Sequence, residues 1–146
     1  MSTLSAASGR PIPIPDRAKG AHSVVVATVI EATPTFERNS FGDQLIVTHA
    51  FLRVEESLKG QSANVIPLDV EGGTIGDLTL HVSDVEPIRK GERAVFFIQR
   101  TPSGANVPHL RGNGVLKLDA TNHVRGSNAT LDDVKRQVGD SLRIAK

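Results

Sequence analysis

The chain has 146 residues, 38% of them hydrophobic, a size at which one core buries well over half of the unfolded surface without metals or disulfides. Lys and Arg together number 17 against 16 for Asp and Glu, so the formal charge of +1 lacks the strong basic field of a polyanion-binding protein. With no cysteine, disulfides, iron–sulfur ligation, zinc fingers and thiol catalysis are excluded, while the compartment stays open.

Aromatic residues are limited to five Phe, so Val, Ile and Leu must fill the interior, and the β-branched ones among them favour strands. Residues 1–20 read as a flexible lead in which prolines 11, 13 and 15 impose a short polyproline-like extension, serving as a linker or as a docking peptide. No apolar h-region stands there, so nothing in the lead as written drives secretion, and no stretch elsewhere approaches the roughly 20 apolar residues that span a bilayer. A single domain is expected over residues 21–143.

Residues 22–30 form an unbroken β-branched run that predicts a strand buried on both faces or placed at the centre of a sheet. Residues 31–43 read as a loop, with Pro34, Asn39, Ser40 and Gly42, and with Phe36 and Phe41 among polar neighbours. Two aromatics in such a loop either pin it to the core or form a contact surface. Residues 44–55 predict a strand of roughly 40 Å at about 3.3 Å per residue, long enough to bend around a barrel. Its core face is Ile46, Thr48, Ala50, Leu52 and Val54.

After a turn at 57–60, residues 65–70 alternate as a half-exposed strand whose Pro67 belongs at an edge or bulge. Gly72, Gly73 and Gly76 predict a turn or bulge rather than a phosphate cradle, because no helix pattern and no Lys-Ser/Thr pair follow. Residues 78–82 and 114–119 are further strands, and residues 93–98, apolar on both faces, a central one. The segment from Pro102 to Arg111 reads as a polar loop. From Thr130 the period changes to helical: Leu131, Val134, Val138 and Leu142 share one face, Thr130 can cap, and Asp132 and Asp133 favour the N-terminal end. About six strands and a C-terminal amphipathic helix therefore predict a mainly β fold, an OB-like β-barrel, closed or partly open. Pro67 and scattered Lys and Arg protect its edges, which favours a monomer.

Leu58, Lys59 and Gly60 after a long strand, the Gly72-Gly73-x-x-Gly76 turn, Gly91 and Glu92 before Val95, Phe96 and Phe97, and the closing helix at Leu131–Val134 carry a resemblance. Over residues 21–140 the chain resembles a group of small bacterial β-barrel domains similar to netrin-like modules and tissue inhibitors of metalloproteinases. The resemblance implies an OB-like barrel and an extracytoplasmic location, and brings no catalytic residues. The inhibitors act through an N-terminal cysteine that chelates zinc, and this chain has none.

His22, His49, His81, His109 and His123 are scattered without ligand spacing, although strands can bring His49 and His81 together; no metal and no cofactor is expected. No Gly-x-Ser-x-Gly elbow is present, so the chain reads as a non-enzyme. The expected role is a non-catalytic accessory module that binds a protein or a small ligand. Its contact residues are Phe36 and Phe41 in one loop, and Pro102, His109 and Arg111 in another, on the ground that loops on a rigid scaffold carry recognition. The alternative from another class is a single-stranded nucleic-acid module, with Phe51, Phe96 and Phe97 as stacking platforms and Arg53, Arg89, Lys90, Arg93, Arg100 and Arg111 as the basic groove. The apolar context of those rings and the balanced charge weigh against it.

Overall fold

The computed structural model describes residues 12–38, 41–60, 63–82 and 85–144. The fold is mainly β. Strands β1 (Ser23–Arg38), β2 (Gln44–Lys59), β3 (Val65–Glu71), β6 (Arg93–Arg100), β7 (Asn106–Pro108) and β8 (Val115–Leu118) form one antiparallel sheet. Its order is β3-β2-β1-β6-β7, with β8 also on β6. Strands β4 (Gly73–Ile75) and β5 (Leu78–Leu80) make a separate hairpin. Helix α1 spans Ile14–Gly20 and α2 spans Leu131–Ile144.

The β-branched run of β1 and the apolar run of β6 both lie at the centre of the sheet. In β1, Val24 and Val26 join one core cluster while Val25, Ala27 and Val29 join another; β6 divides Val95 and Phe97 from Ala94, Phe96 and Ile98 in the same way. One face is covered by α1 and α2 through Ala18, Leu131, Val134 and Val138, the other by the curl of β2 and β3 through Ala50, Leu52, Leu68 and Val70. Burying Phe96 or Phe97 from water contributes about 2–3 kcal/mol each.

Three register shifts between β1 and β2, at Val24/Val25, Val26/Ala27 and Val29/Glu31, supply the bend, since each bulge increases local twist. The curl brings β7 back against β3. Asn106 Nδ2 donates to Pro67 O at 3.0 Å, but the two strands form no backbone ladder, so the sheet is not closed into a barrel.

Several elements depart from the sequence reading: β2 runs through the expected turn as far as Lys59, β4 starts within the expected glycine turn, and β7 stands within the segment read as a polar loop. Residues 31–38, expected as a loop, continue β1: Thr33, Thr35 and Phe36 are good strand formers, and Pro34 is tolerated because β6 pairs with β1 only as far as Thr28, leaving β1 an edge there. Within the expected lead, residues 1–11 lie outside those described, but 14–20 are helical. Pro13 is the N-cap and Pro15 stands in the first turn, where a missing N–H costs nothing. Arg17 and Ala18 of α1 are buried, and the helix packs on α2.

Several turn signatures have structural work. Lys59 Nζ donates to the carbonyls of Ala18, Lys19 and Ala21 at 2.8, 3.1 and 2.6 Å, satisfying the C-terminal end of α1 from the end of β2. Glu92 accepts from Lys117 Nζ at 3.2 Å and from Arg89 N at 2.7 Å, pinning β8 to the turn at Gly91. Thr130 and Asp133 form a reciprocal cap on α2, Asp133 N donating to Thr130 Oγ1 at 3.1 Å and Thr130 N to Asp133 Oδ2 at 3.0 Å. Lys59→Met is expected to cost about 2 kcal/mol, the range for hydrogen bonds to a charged group, and to speed amide exchange in α1. Urea unfolding and hydrogen exchange check this; α1 protection equal to that of the parent would show that Lys59 does not hold the helix.

Candidate functional site

The candidate site is the open seam between β3 and the segment from β7 to Arg111. A cavity of about 550 Å³ lies there. Its floor is apolar, made of Val47, Val70, Val85, Val107, Pro108 and Leu110, and Glu37, Asp69, Glu71, Gln99 and Arg111 stand around it. Asn106 on Pro67 bridges the seam at one end. Arg111 Nη1 to Glu71 Oε1, 3.4 Å apart, bridges it again beside the cavity.

Each side reaches this place for a local reason. Alternation in β3 buries Leu68 and Val70 and turns Asp69 and Glu71 to the opposite face. Across the seam, Leu110 and Arg111 are consecutive non-glycine residues in the left-handed region, at φ 61° and 57°. That conformation costs roughly 1 kcal/mol or more per residue, and such strain concentrates at ligand-binding positions.

His49 of β2 sits between two carboxylates on the face that Asp69 shares. Its Nδ1 meets Asp69 Oδ1 at 2.7 Å and its Nε2 meets Glu37 Oε2, which also accepts from Thr35 Oγ1 at 2.9 Å. Hydrogen bonding to the carboxylates of Glu37 and then Asp69 raises the His49 pKa, and the bonds that Glu37 accepts from His49 and Thr35 lower its own. With both ring nitrogens engaged, His49 clamps β1, β2 and β3 together, and neither nitrogen is open as a general base. The carboxylates lie at opposite ends of the ring, so one ion cannot meet all three groups. Among the described residues no group of three or more His, Asp or Glu is placed to hold a metal ion.

The five contact residues read from sequence are scattered. Arg111 is at the cavity. His109 is one step removed: its Nδ1 bonds Gln99 Oε1 at 3.1 Å, its ring packs where a side chain on Gly20 would stand, and burial followed by the charge of Lys59 lowers its pKa. Pro102 is exposed in the turn closed by Gly104 N on Thr101 O at 2.9 Å, away from the cavity lining. Phe36 is in β1 rather than a loop, 46% exposed, and lines a shallow groove of about 200 Å³ with Leu45 and Leu78. Phe41, at the turn before β2, is 87% exposed. Residues 39 and 40 of the expected contact loop lie outside those described.

For the nucleic-acid alternative, Phe96 and Phe97 are core, whereas Phe51 is 47% exposed, against the expectation that all three are buried. Arg93 is held by Glu55 at 2.8 Å and Arg111 by Glu71, so two of the six cations are paired with carboxylates. His81 lines a separate cavity of about 350 Å³ beside Arg89 and Lys90 and does not join His49. No helix among the described residues is long and apolar enough to cross a membrane. A scan against protein-family models and a search of curated proteins find no match.

The His49 clamp has a pH signature. A raised folded-state pKa contributes stability fully below the ordinary His value near 6.5, and the contribution is lost as pH rises through the folded value. The lowered Glu37 pKa acts oppositely, contributing above about 4.3 and fading as pH falls through its folded value. His49→Gln should therefore lose up to about 1 kcal/mol at pH 6, limited by exposure, and much less at pH 9. Urea midpoints at the two pH values test this; equal losses would rule the clamp out. Phe41→Ala should change stability by less than about 0.5 kcal/mol, and a larger loss in the same assay would show that its ring is part of the core.

Proposed function

We propose that the protein is a non-catalytic binding module whose ligand enters the seam between β3 and β7. The observation that carries this reading is the cavity itself: an apolar floor of about 550 Å³ with charged groups at its margin, placed where the sheet stops short of closing. Ligand sites are concave, mostly apolar, and oriented by a few polar groups, and the mouth of a curled sheet is a common place for them. The occupied nitrogens of His49 support a binding rather than a catalytic role.

The curl of one antiparallel sheet with a C-terminal helix packed outside it supports an OB-like, partly open barrel, and with it the resemblance to the netrin-like and metalloproteinase-inhibitor modules. An accessory role outside the cytoplasm follows from that resemblance alone. The partner is a protein segment or a small ligand with an apolar body. The alternative, single-stranded nucleic acid, is less well supported because Phe96 and Phe97 are buried.

The test is a fragment screen followed by amide chemical-shift mapping. Shifts are expected to cluster at Val70, Val107 and Leu110, and Leu110→Asp should weaken the fragments by about tenfold or more, the scale of one lost apolar contact set. Leu110 is 36% exposed and left-handed, a conformation Asp accepts readily, so the variant keeps its fold. Fragments that map instead to the groove of Phe36 and Leu78, indifferent to Leu110→Asp, would move the site there.

A further inference from the structure

We propose that the cavity between the β4–β5 hairpin and the turn at 87–91 is a second ligand site, one that takes a small phosphate monoester with an apolar body. It shares no lining residue with the seam and does not depend on it.

Both walls are fixed to the sheet. On one side, Gly73 lets the hairpin approach closely, since a Cβ there would meet Thr48 Oγ1 at 2.7 Å and the side chains of Ile46 and Pro34 at 3.2 and 3.3 Å. The hairpin register then sets Thr74 opposite Thr79, with their hydroxyls 2.9 Å apart. On the other side, the turn is tied to β1 and β8. Gly91 N donates to Val29 O and Val29 N to Glu92 O, both at 2.8 Å, and Lys117 Nζ donates to Pro87 O at 2.6 Å. Ile88 is buried in the core, so the exposed Arg89 and Lys90 that follow it stand on an anchored turn. The cavity between these walls measures about 350 Å³. That is the low end for a small-molecule site, with room for about ten non-hydrogen atoms. Ala32, Pro34, Leu80, Pro87 and Ile88 give it apolar surface.

The charged lining is of one sign. Arg89, Lys90 and His81 line this cavity and no Asp or Glu does, whereas Glu37, Asp69 and Glu71 stand around the seam. Among the described residues, the side chains of Arg89 and Lys90 have no ion pair or hydrogen bond. Glu92, whose carboxylate accepts from the Arg89 amide, is already shared by Lys117 and Arg125 at 3.2 and 3.5 Å. Two unpaired permanent cations beside one concave volume favour an anion within it. A phosphate monoester carries about −1.5 to −2 charge near pH 7 and three terminal oxygens, which matches two cations better than a carboxylate does. The Arg89 guanidinium offers a fork of N–H groups and the Lys90 ammonium a point charge. In the Thr74–Thr79 pair one hydroxyl donates to the other, whose own hydrogen is left for a ligand oxygen. The apolar surface then covers the body of the ester. No aromatic ring lines the cavity, so it lacks the stacking platform that a nucleic-acid strand would use.

The probe is phenyl phosphate, titrated at low salt into the full chain labelled with nitrogen-15 and followed by amide chemical shifts. Saturable shifts are expected at Thr74, Thr79, Ile88 and Lys90, with a Kd of about 1 mM or tighter. Inorganic phosphate should bind about threefold or more weaker for want of the apolar body. Benzoate should also bind about threefold or more weaker, and neutral benzyl alcohol about tenfold or more. Arg89→Gln should weaken phenyl phosphate about tenfold or more, while Leu110→Asp in the seam leaves its affinity unchanged. The Arg89 side chain is exposed and bonded to no described residue, so the variant keeps its fold, which its amide spectrum verifies. No saturable shift at these four amides, equal binding of benzyl alcohol, or an affinity indifferent to Arg89→Gln would overturn the site. Benzoate binding as tightly as phenyl phosphate would overturn the assignment to a phosphate ester. Co-sedimentation with vesicles of phosphatidylcholine and phosphatidic acid separates the sources: sedimentation that Arg89→Gln abolishes places the ester on a lipid, and its absence places it on a free metabolite.

Discussion

The architecture depends on burying both faces of the β1–β6 pair. Val24 to Ala27 and Ala94 to Ile98 are all at most 1% exposed, which a single sheet in water cannot achieve without a layer on each side. One layer comes from the helices, the other from the sheet itself as β2 and β3 curl over. The two apolar runs thus force a choice of partners, and the rest of the chain supplies them. The bulges in β1 are the device that lets one strand serve both layers: Val29 and Ala32 pack with the same inner cluster although they are an odd number of positions, three, apart.

The turn residues Lys59, Gly73 and Glu92 are therefore scaffold. Lys59 ties the end of β2 to the carbonyl end of α1, Glu92 gathers Lys117 and the Arg89 amide around the turn at Gly91, and Gly73 at φ 144° lies where a Cβ would stand 2.7 Å from Thr48 Oγ1. Each meets a steric or hydrogen-bonding demand of the curl. None lines the seam cavity. A signature made of such positions specifies a shape and leaves the binding surface free to vary, which is why it speaks for fold more than for ligand.

What the sequence showed is what local physics controls. The period-2 pattern of residues 65–70 fixed which side chains of β3 are buried, Pro67 fixed its place at an edge, and Thr130 with Leu131, Val134 and Val138 fixed the cap and face of α2. The misread segments carry local signals with two meanings. Pro13 and Pro15 fit a polyproline lead and a helix N-terminus equally, and the deciding contacts come from Lys59, some 40 residues away, and from α2. Pro34 reads as a loop residue until the neighbouring strand is known to have ended at Thr28. The cavity was hidden for a stronger reason: Val47, Val70, Val85 and Val107 come from separate segments, and no window of sequence contains more than one side of it. Arg111 was found only because it lies in a loop with Gly and Pro; its partner Glu71 carried no signal.

An unclosed sheet has a thermodynamic consequence that joins the fold to the seam. Full closure would satisfy every edge group of β3, but Pro67 and Pro108 each lack an N–H, and β7, at Asn106–Pro108, lies against β3 without a ladder. Water can solvate those main-chain groups, and at the same opening Leu110 is exposed and gains from being covered. Self-association through the edge is opposed by the carboxylates of Asp69 and Glu71, which would face their own kind in a symmetric pair. Those charges, with the flanking β7, are how the sheet keeps an unladdered edge without aggregating through it.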